Sequence, residues 1–247
     1  MKKTLTIISI IVFTFLAINS IAKAEIKVVA SIKPIHSLAS YVMDGVGKPD
    51  IIVDGYNSPH NFSLKPSHAK MIEKANLIIW VGEDLETFLE KPLKTISKDA
   101  VNVEIMDLKG IKKLKFREKN IFEGHDDHGH GHKEHKEHGH DEHKEHGHKE
   151  KKHDDHGHEG HAHGEHDPHV WLDPMNAKII VKEIENQLVK LDPDNASKYK
   201  ANSKKAQSEL DNLTKNIKND LKKDLRFVVF HDAYQYFENR FGIKVLG

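Results

Sequence analysis

The sequence predicts an α/β fold built on a largely parallel sheet. Short runs of aliphatic and β-branched residues alternate along the chain with segments of helical spacing, the pattern of strand–helix–strand units. The runs are apolar at successive positions, as in strands buried on both faces. At 247 residues the chain is long enough for a sizeable core in one or two domains.

Residues 26–30 (IKVVA) read as the first strand, and Pro34 followed by HSLASYVMDGVG as a helix ending in glycines. Residues 51–53 give a second strand. Residues 65–76 read as a helix, with Pro66 near its start and Ala69, Ile72 and Ala75 on one face. LIIWV at 77–81 is a third strand, 85–93 a short helix and 101–105 a fourth strand. After a histidine-rich stretch, Ile179, Ile180, Ile184, Leu188 and Leu191 mark a helix over 174–191, which Asp192-Pro193 ends. Residues 195–221 are a second long helix, FVVF at 227–230 a strand, and 234–241 the start of a further helix with Tyr234, Tyr236 and Phe237 on its core face. One strand and two helices do not close a second α/β lobe, so the chain is expected to be incomplete at its C-terminal end.

Formal net charge is zero with histidine neutral, which gives no electrostatic support to a nucleic-acid or anionic-membrane role. The absence of cysteine excludes disulfides, cysteine zinc fingers, a thiol nucleophile and a lipid-bearing N-terminal cysteine. Lys2 and Lys3, the apolar stretch over 4–21 and the small-x-small site Ala22-Lys23-Ala24 read as a secretory signal peptide over residues 1–24, cut before Glu25. An uncleaved anchor is the alternative, because the apolar stretch is near spanning length. No later segment is apolar enough to span a bilayer.

Residues 125–166 hold 16 of the chain's 21 histidines: His125, His128, His130, His132, His135, His138, His140, His143, His146, His148, His153, His156, His158, His161, His163 and His166. With few apolar residues and many charges the tract is expected to be a solvated, mobile insertion. Imidazole is a common ligand for zinc, so the tract is expected to hold metal in secondary sites of low affinity. Fixing a mobile segment costs roughly 1–2 kcal/mol per residue, which weakens each such site.

Three histidines outside the tract stand in loop-like settings at element ends: His60 in GYNSPHNFSLKPS, His169 in DPHVWLDP and His231 after FVVF. Ligands of open α/β sheets gather at the carboxyl ends of strands. Converging there, three neutral imidazoles would suit zinc. Each taken singly reads first as a capping or hydrogen-bonding residue, and separations of 109 and 62 residues leave the matter to the fold. His36 reads as helix-start packing and His68 as solvent-exposed. Trp80 and Trp171 read as packing residues. Asp167, Asp173 and Asp232 read as helix caps, as partners orienting a histidine through its other ring N–H, or as a base.

The order ASIKPIHSLA, GYNSPHNFSLKPS, ANLIIWVGEDLETFLEKPL, the histidine tract, DPHVWLDP and FVVFHDAYQYFENRFGIKVLG resembles the zinc-binding solute receptors of bacterial ABC importers, a metal-specific group of substrate-binding proteins, from about residue 25 to the last. The resemblance implies two α/β lobes with parallel-sheet cores joined by one long helix, the second lobe incomplete here. The domains would be the N-terminal lobe over 25–173, the linking helix over 174–192 and the start of the C-terminal lobe over 193–247. It maps the cleft ligands onto His60, His169 and His231. Histidine at 231, where manganese and iron receptors carry a carboxylate, favours zinc. Some zinc receptors have a glutamate just before the first cleft histidine; here Pro59 stands there. Other branches take a fourth, carboxylate ligand from a region beyond residue 247.

The resulting expectation is a monomeric periplasmic protein, not an enzyme, that captures Zn2+ as cargo and hands it to an ABC-importer permease, with no nucleic-acid partner and no stable membrane insertion once the leader is cut. Two readings stand beside it: a periplasmic zinc reservoir or chaperone acting through the tract, and a zinc-dependent hydrolase, for which no HExxH motif is present.

Overall fold

The computed structural model describes residues 25–97, 99–117, 164–222, 224 and 227–245. The expected leader and the tract histidines from His125 to His163 lie outside the described residues, and His166 lies within them. Four strands form one parallel sheet: β1 (Val28–Ile32), β2 (Asp50–Val53), β3 (Leu77–Trp80) and β4 (Val101–Glu104), in the order β2-β1-β3-β4. Ala30 faces Ile51 on one side and Ile79 on the other, and Ile79 in turn faces Val103. Every residue of β1 and β3 is buried, which explains why those runs are apolar at successive positions.

The connections reverse direction after β2. Right-handed crossovers therefore put α1 (Lys33–Val42) on one face and α2 (Pro66–Glu73) and α3 (Thr87–Thr95) on the other. α1 packs with α4 (Pro174–Leu191) and α5 (Ala196–Asp220), while α2 meets α3. α4 begins where its sequence says it should. Asp173 accepts a hydrogen bond from Met175 N at 2.9 Å, and Pro174 occupies the first turn. Ile180, Val181, Ile184 and Leu188 are essentially wholly buried, each contributing roughly 1.5–3 kcal/mol relative to exposure. α5 lies along α4, anchored by buried Tyr199, whose hydroxyl donates to Asp192 at 2.8 Å. The last helix, α6 (Gln235–Phe241), ends at Gly242, which takes the left-handed conformation with φ +70°.

Some expectations are corrected. FVVF at 227–230 is not a strand: it lies in irregular backbone with Val228 and Phe230 exposed. A strand needs a neighbour to satisfy its backbone, and among the described residues none pairs with it. α2 stops at Glu73 rather than running to 76, because Asn76 turns away to accept Lys27 N through Oδ1 at 2.8 Å. His68 is half-buried rather than solvent-exposed; its Nδ1 accepts from Lys65 N at 3.1 Å and its ring lies 5.4 Å from that of Phe62. Tyr236 is buried as expected, but Tyr234 is exposed at a cavity mouth and Phe237 is half-buried. Among the described residues no helix is long and apolar enough to cross a membrane.

Candidate metal site

Off the carboxyl ends of β1 and β2 lies a cavity of about 620 Å3, bounded by Ile32, Val53, the loop over 55–61, the segment around His169 and the segment over 230–234. The sheet order explains its place, since ligands of open parallel sheets bind beyond the carboxyl ends of strands. His60, His169 and His231 all line it, each delivered by a different stretch of chain.

His60 is brought in by the loop after β2. Gly55 supplies a left-handed turn at φ +64°, and Asn57 Nδ2 closes back onto Asp54 O at 2.8 Å. Ser58 then caps the 3-10 turn Pro59–Asn61 by accepting His60 N at 3.3 Å. His169 is buried and tightly held: Asp167 Oδ1 accepts His169 N at 2.9 Å and lies 2.7 Å from its Nδ1. An ionised carboxylate only accepts, so Nδ1 carries the proton and Nε2 keeps its lone pair for a ligand. Asp167 is itself fixed on three sides. Its N–H donates to Leu114 O at 2.8 Å, its carbonyl accepts from the Tyr236 hydroxyl at 2.7 Å, and its Oδ2 accepts from Gln235 at 3.2 Å. His231 stands in irregular backbone just before α6, in a turn closed by Ala233 N donating to His231 O at 2.9 Å.

The three rings meet. Their centroids are 5.9 Å (His60 to His169), 6.1 Å (His60 to His231) and 5.4 Å (His169 to His231) apart. One nitrogen from each lies within 4.8 Å of the others, and no further group of three or more metal-ligating side chains occurs among the described residues. Nitrogens on a tetrahedral zinc with 2.0–2.1 Å bonds are about 3.4 Å apart. Small side-chain rotations therefore close the set around an ion. Partial burial of the ring against the cavity wall, and secondarily the neighbouring His169, lower the His231 pKa below the usual histidine value, with Asp232 and Asp167 opposing. The shift favours the neutral, coordinating form of His231.

Of the remaining candidates, His166 pairs with Lys115 in an isolated antiparallel bridge, away from the triad. His36 Nε2 lies 3.0 Å from Pro49 O, a structural contact. Trp80 packs in the core as expected, whereas Trp171 sits with its ring 5.3 Å from that of His169 and lines the cavity. Of the three aspartates, Asp167 orients His169 and Asp173 caps α4. Gln235, which holds Asp167, and Arg117, which pairs with Asp232, belong to no sequence motif.

A parallel α/β sheet with three imidazoles converging at its strand ends has the donor set of a metal-binding protein. The comparisons agree. The family model described as zinc-uptake complex component A, periplasmic (ZnuA), matches residues 28–247. The high-affinity zinc uptake system protein ZnuA of Brucella abortus (strain 2308) is 52% identical over 231 residues, covering 93% of this chain and 69% of that protein. A crystal structure of ZnuA superposes with a TM-score of 0.65 at 20% identity, covering 90% of this chain and 69% of that one, and shares its α/β architecture. The metal-dependent lipoprotein YcdH of Bacillus subtilis gives a TM-score of 0.62 at 25% identity, covering 90% and 66%. The chain belongs to the periplasmic zinc-uptake component A family.

Proposed function

We propose that the protein captures a single zinc ion between His60, His169 and His231 in the periplasm and hands it to the permease of an ABC importer. The convergence of three imidazoles from distant parts of the chain carries the reading. An all-nitrogen set suits zinc better than the oxygen-preferring metals, and the Brucella relative is named for zinc uptake. Zinc is the cargo, with no bond made or broken. In this reading residues 1–24 are the removed leader, residues 25–173 the first lobe, α4 the link between lobes and residues 193–247 the start of the second. Membership of a zinc-uptake complex component family supports delivery to a permease. Neither the fold nor the relatives favour a reservoir acting through the tract over capture in the cleft.

Titration of zinc against a competing chelator tests the site. Replacing His60, His169 and His231 singly by Ala is expected to weaken one tight site in each case. Unchanged affinity in all three would remove the cleft reading. Hydrolytic turnover dependent on the same histidines would support the enzyme instead.

A further inference from the structure

His231 is the least supported of the three cavity histidines. It lies between irregular residues 227–230 and the short helix α6, and it is exposed. The next residue, Asp232, has a carboxylate whose Oδ1 is shielded from solvent and makes no hydrogen bond among the described residues. Its other oxygen, Oδ2, lies 3.2 Å from Arg117 Nε, an ion pair without hydrogen-bond alignment. The same guanidinium donates through Nη2 to Glu238 Oε2 on α6 at 2.8 Å, with the arginine side chain only 23% exposed. Arg117 extends from the ladder in which Phe116 N donates to Glu165 O and Asp167 N to Leu114 O. That ladder also holds Asp167, and so His169. One mount thus supports both imidazoles: His169 through Asp167 and His231 through Arg117 and Asp232.

From this geometry we infer that Arg117 is a positioning residue for His231, fixing it at its distance from His169 by holding Asp232; the inference rests on the reading of the triad as the zinc site. Three of the chain's 38 basic side chains are arginines, and Arg117 bridges two carboxylates on different elements. The rigid guanidinium fork suits that task where a lysine ammonium does not. Without the cation, Asp232 would keep one shielded oxygen with no counter-charge, and the half-buried carboxylate would move toward water. His231 would move with it.

The test is zinc titration against a chelator on the full chain. R117M and D232N are each expected to weaken zinc about 10–100-fold, the usual cost of losing a group that orients a ligand, and R117K to retain more affinity than R117M. In an H231A background R117M is expected to add no more than about twofold, the ordinary limit of additivity. In an H60A background its full effect persists. In the cobalt(II)-loaded protein R117M is expected to change the visible absorption as H231A does. If Arg117 only docks α6, E238Q reproduces R117M while D232N binds normally, and the inference is overturned. It is equally overturned if R117M binds zinc normally or keeps its full effect in H231A. Should R117M fail to fold by circular dichroism, the near-isosteric D232N decides by the same criteria. Failure of the zinc reading itself looks different: H60A and H169A would then bind zinc as the unaltered chain does.

Discussion

At His169 the Asp167 carboxylate, 2.7 Å from Nδ1, sets which nitrogen faces the cavity. Asp167→Ala is therefore expected to weaken zinc about 10–100-fold, as read by chelator competition. Affinity should also follow protonation. Metal binds neutral imidazole, so affinity is flat above the histidine range and falls as pH drops through it. His231, its pKa lowered by burial, resists protonation to lower pH than an ordinary histidine. Zinc titrations between about pH 5 and 8 check the sign; affinity rising on acidification would contradict it. Asp167 was visible in the sequence two positions before His169, but a cap, an orienting partner and a base look alike there. Only the hydrogen bonds distinguish them.

Among the elements, β1, β3 and α4 were legible because local signals agreed: unbroken apolar runs for the buried strands, and Asp-Pro followed by periodic aliphatic residues for the helix. Residues 227–230 misled because β-branched and aromatic content reports suitability for a sheet, and a strand also requires a partner. The junction of β3 and α3 holds a buried carboxylate that sequence pattern does not reveal. Glu86 Oε2 accepts Val81 N at 2.7 Å and Gly82 N at 3.2 Å, and burial pushes its pKa to about 7 from 4.5. The Ser31 hydroxyl opposes the rise without meeting hydrogen-bond geometry with Oε1. Because the folded pKa lies above the unfolded one, the associated stability is complete below about 4.5 and is lost as pH rises through about 7. Urea unfolding across that window is expected to show Glu86→Gln with a flatter decline. Glu104, raised to about 7 by burial and by Asp107 and Glu83, keeps part of the slope. Equal slopes in both proteins would exclude the role for Glu86.

For the molecule as a whole, the sequence indicated the class of chemistry through its histidine tract, but the triad's convergence depends on the fold. His60 needs the turn after β2, His169 the ladder at Leu114 and Asp167, and His231 the docking of α6. All three mounts lie among the described residues. Replacing residues 118–163 by a short glycine turn is therefore expected to leave one tight zinc site per chain, with loss of weaker binding only. Loss of the tight site in a chelator titration would shift the function to the tract.

The same ladder has a practical corollary. The chain departs at Phe116 and rejoins at Glu165, backbones already bonded across the gap. A junction with adjoining ends accepts any module whose own termini lie close together, since segment length adds to closure entropy only logarithmically. A fluorescent domain spliced in place of residues 118–163, leaving Arg117, would sit a few residues from His169 and turn the receptor into a zinc indicator.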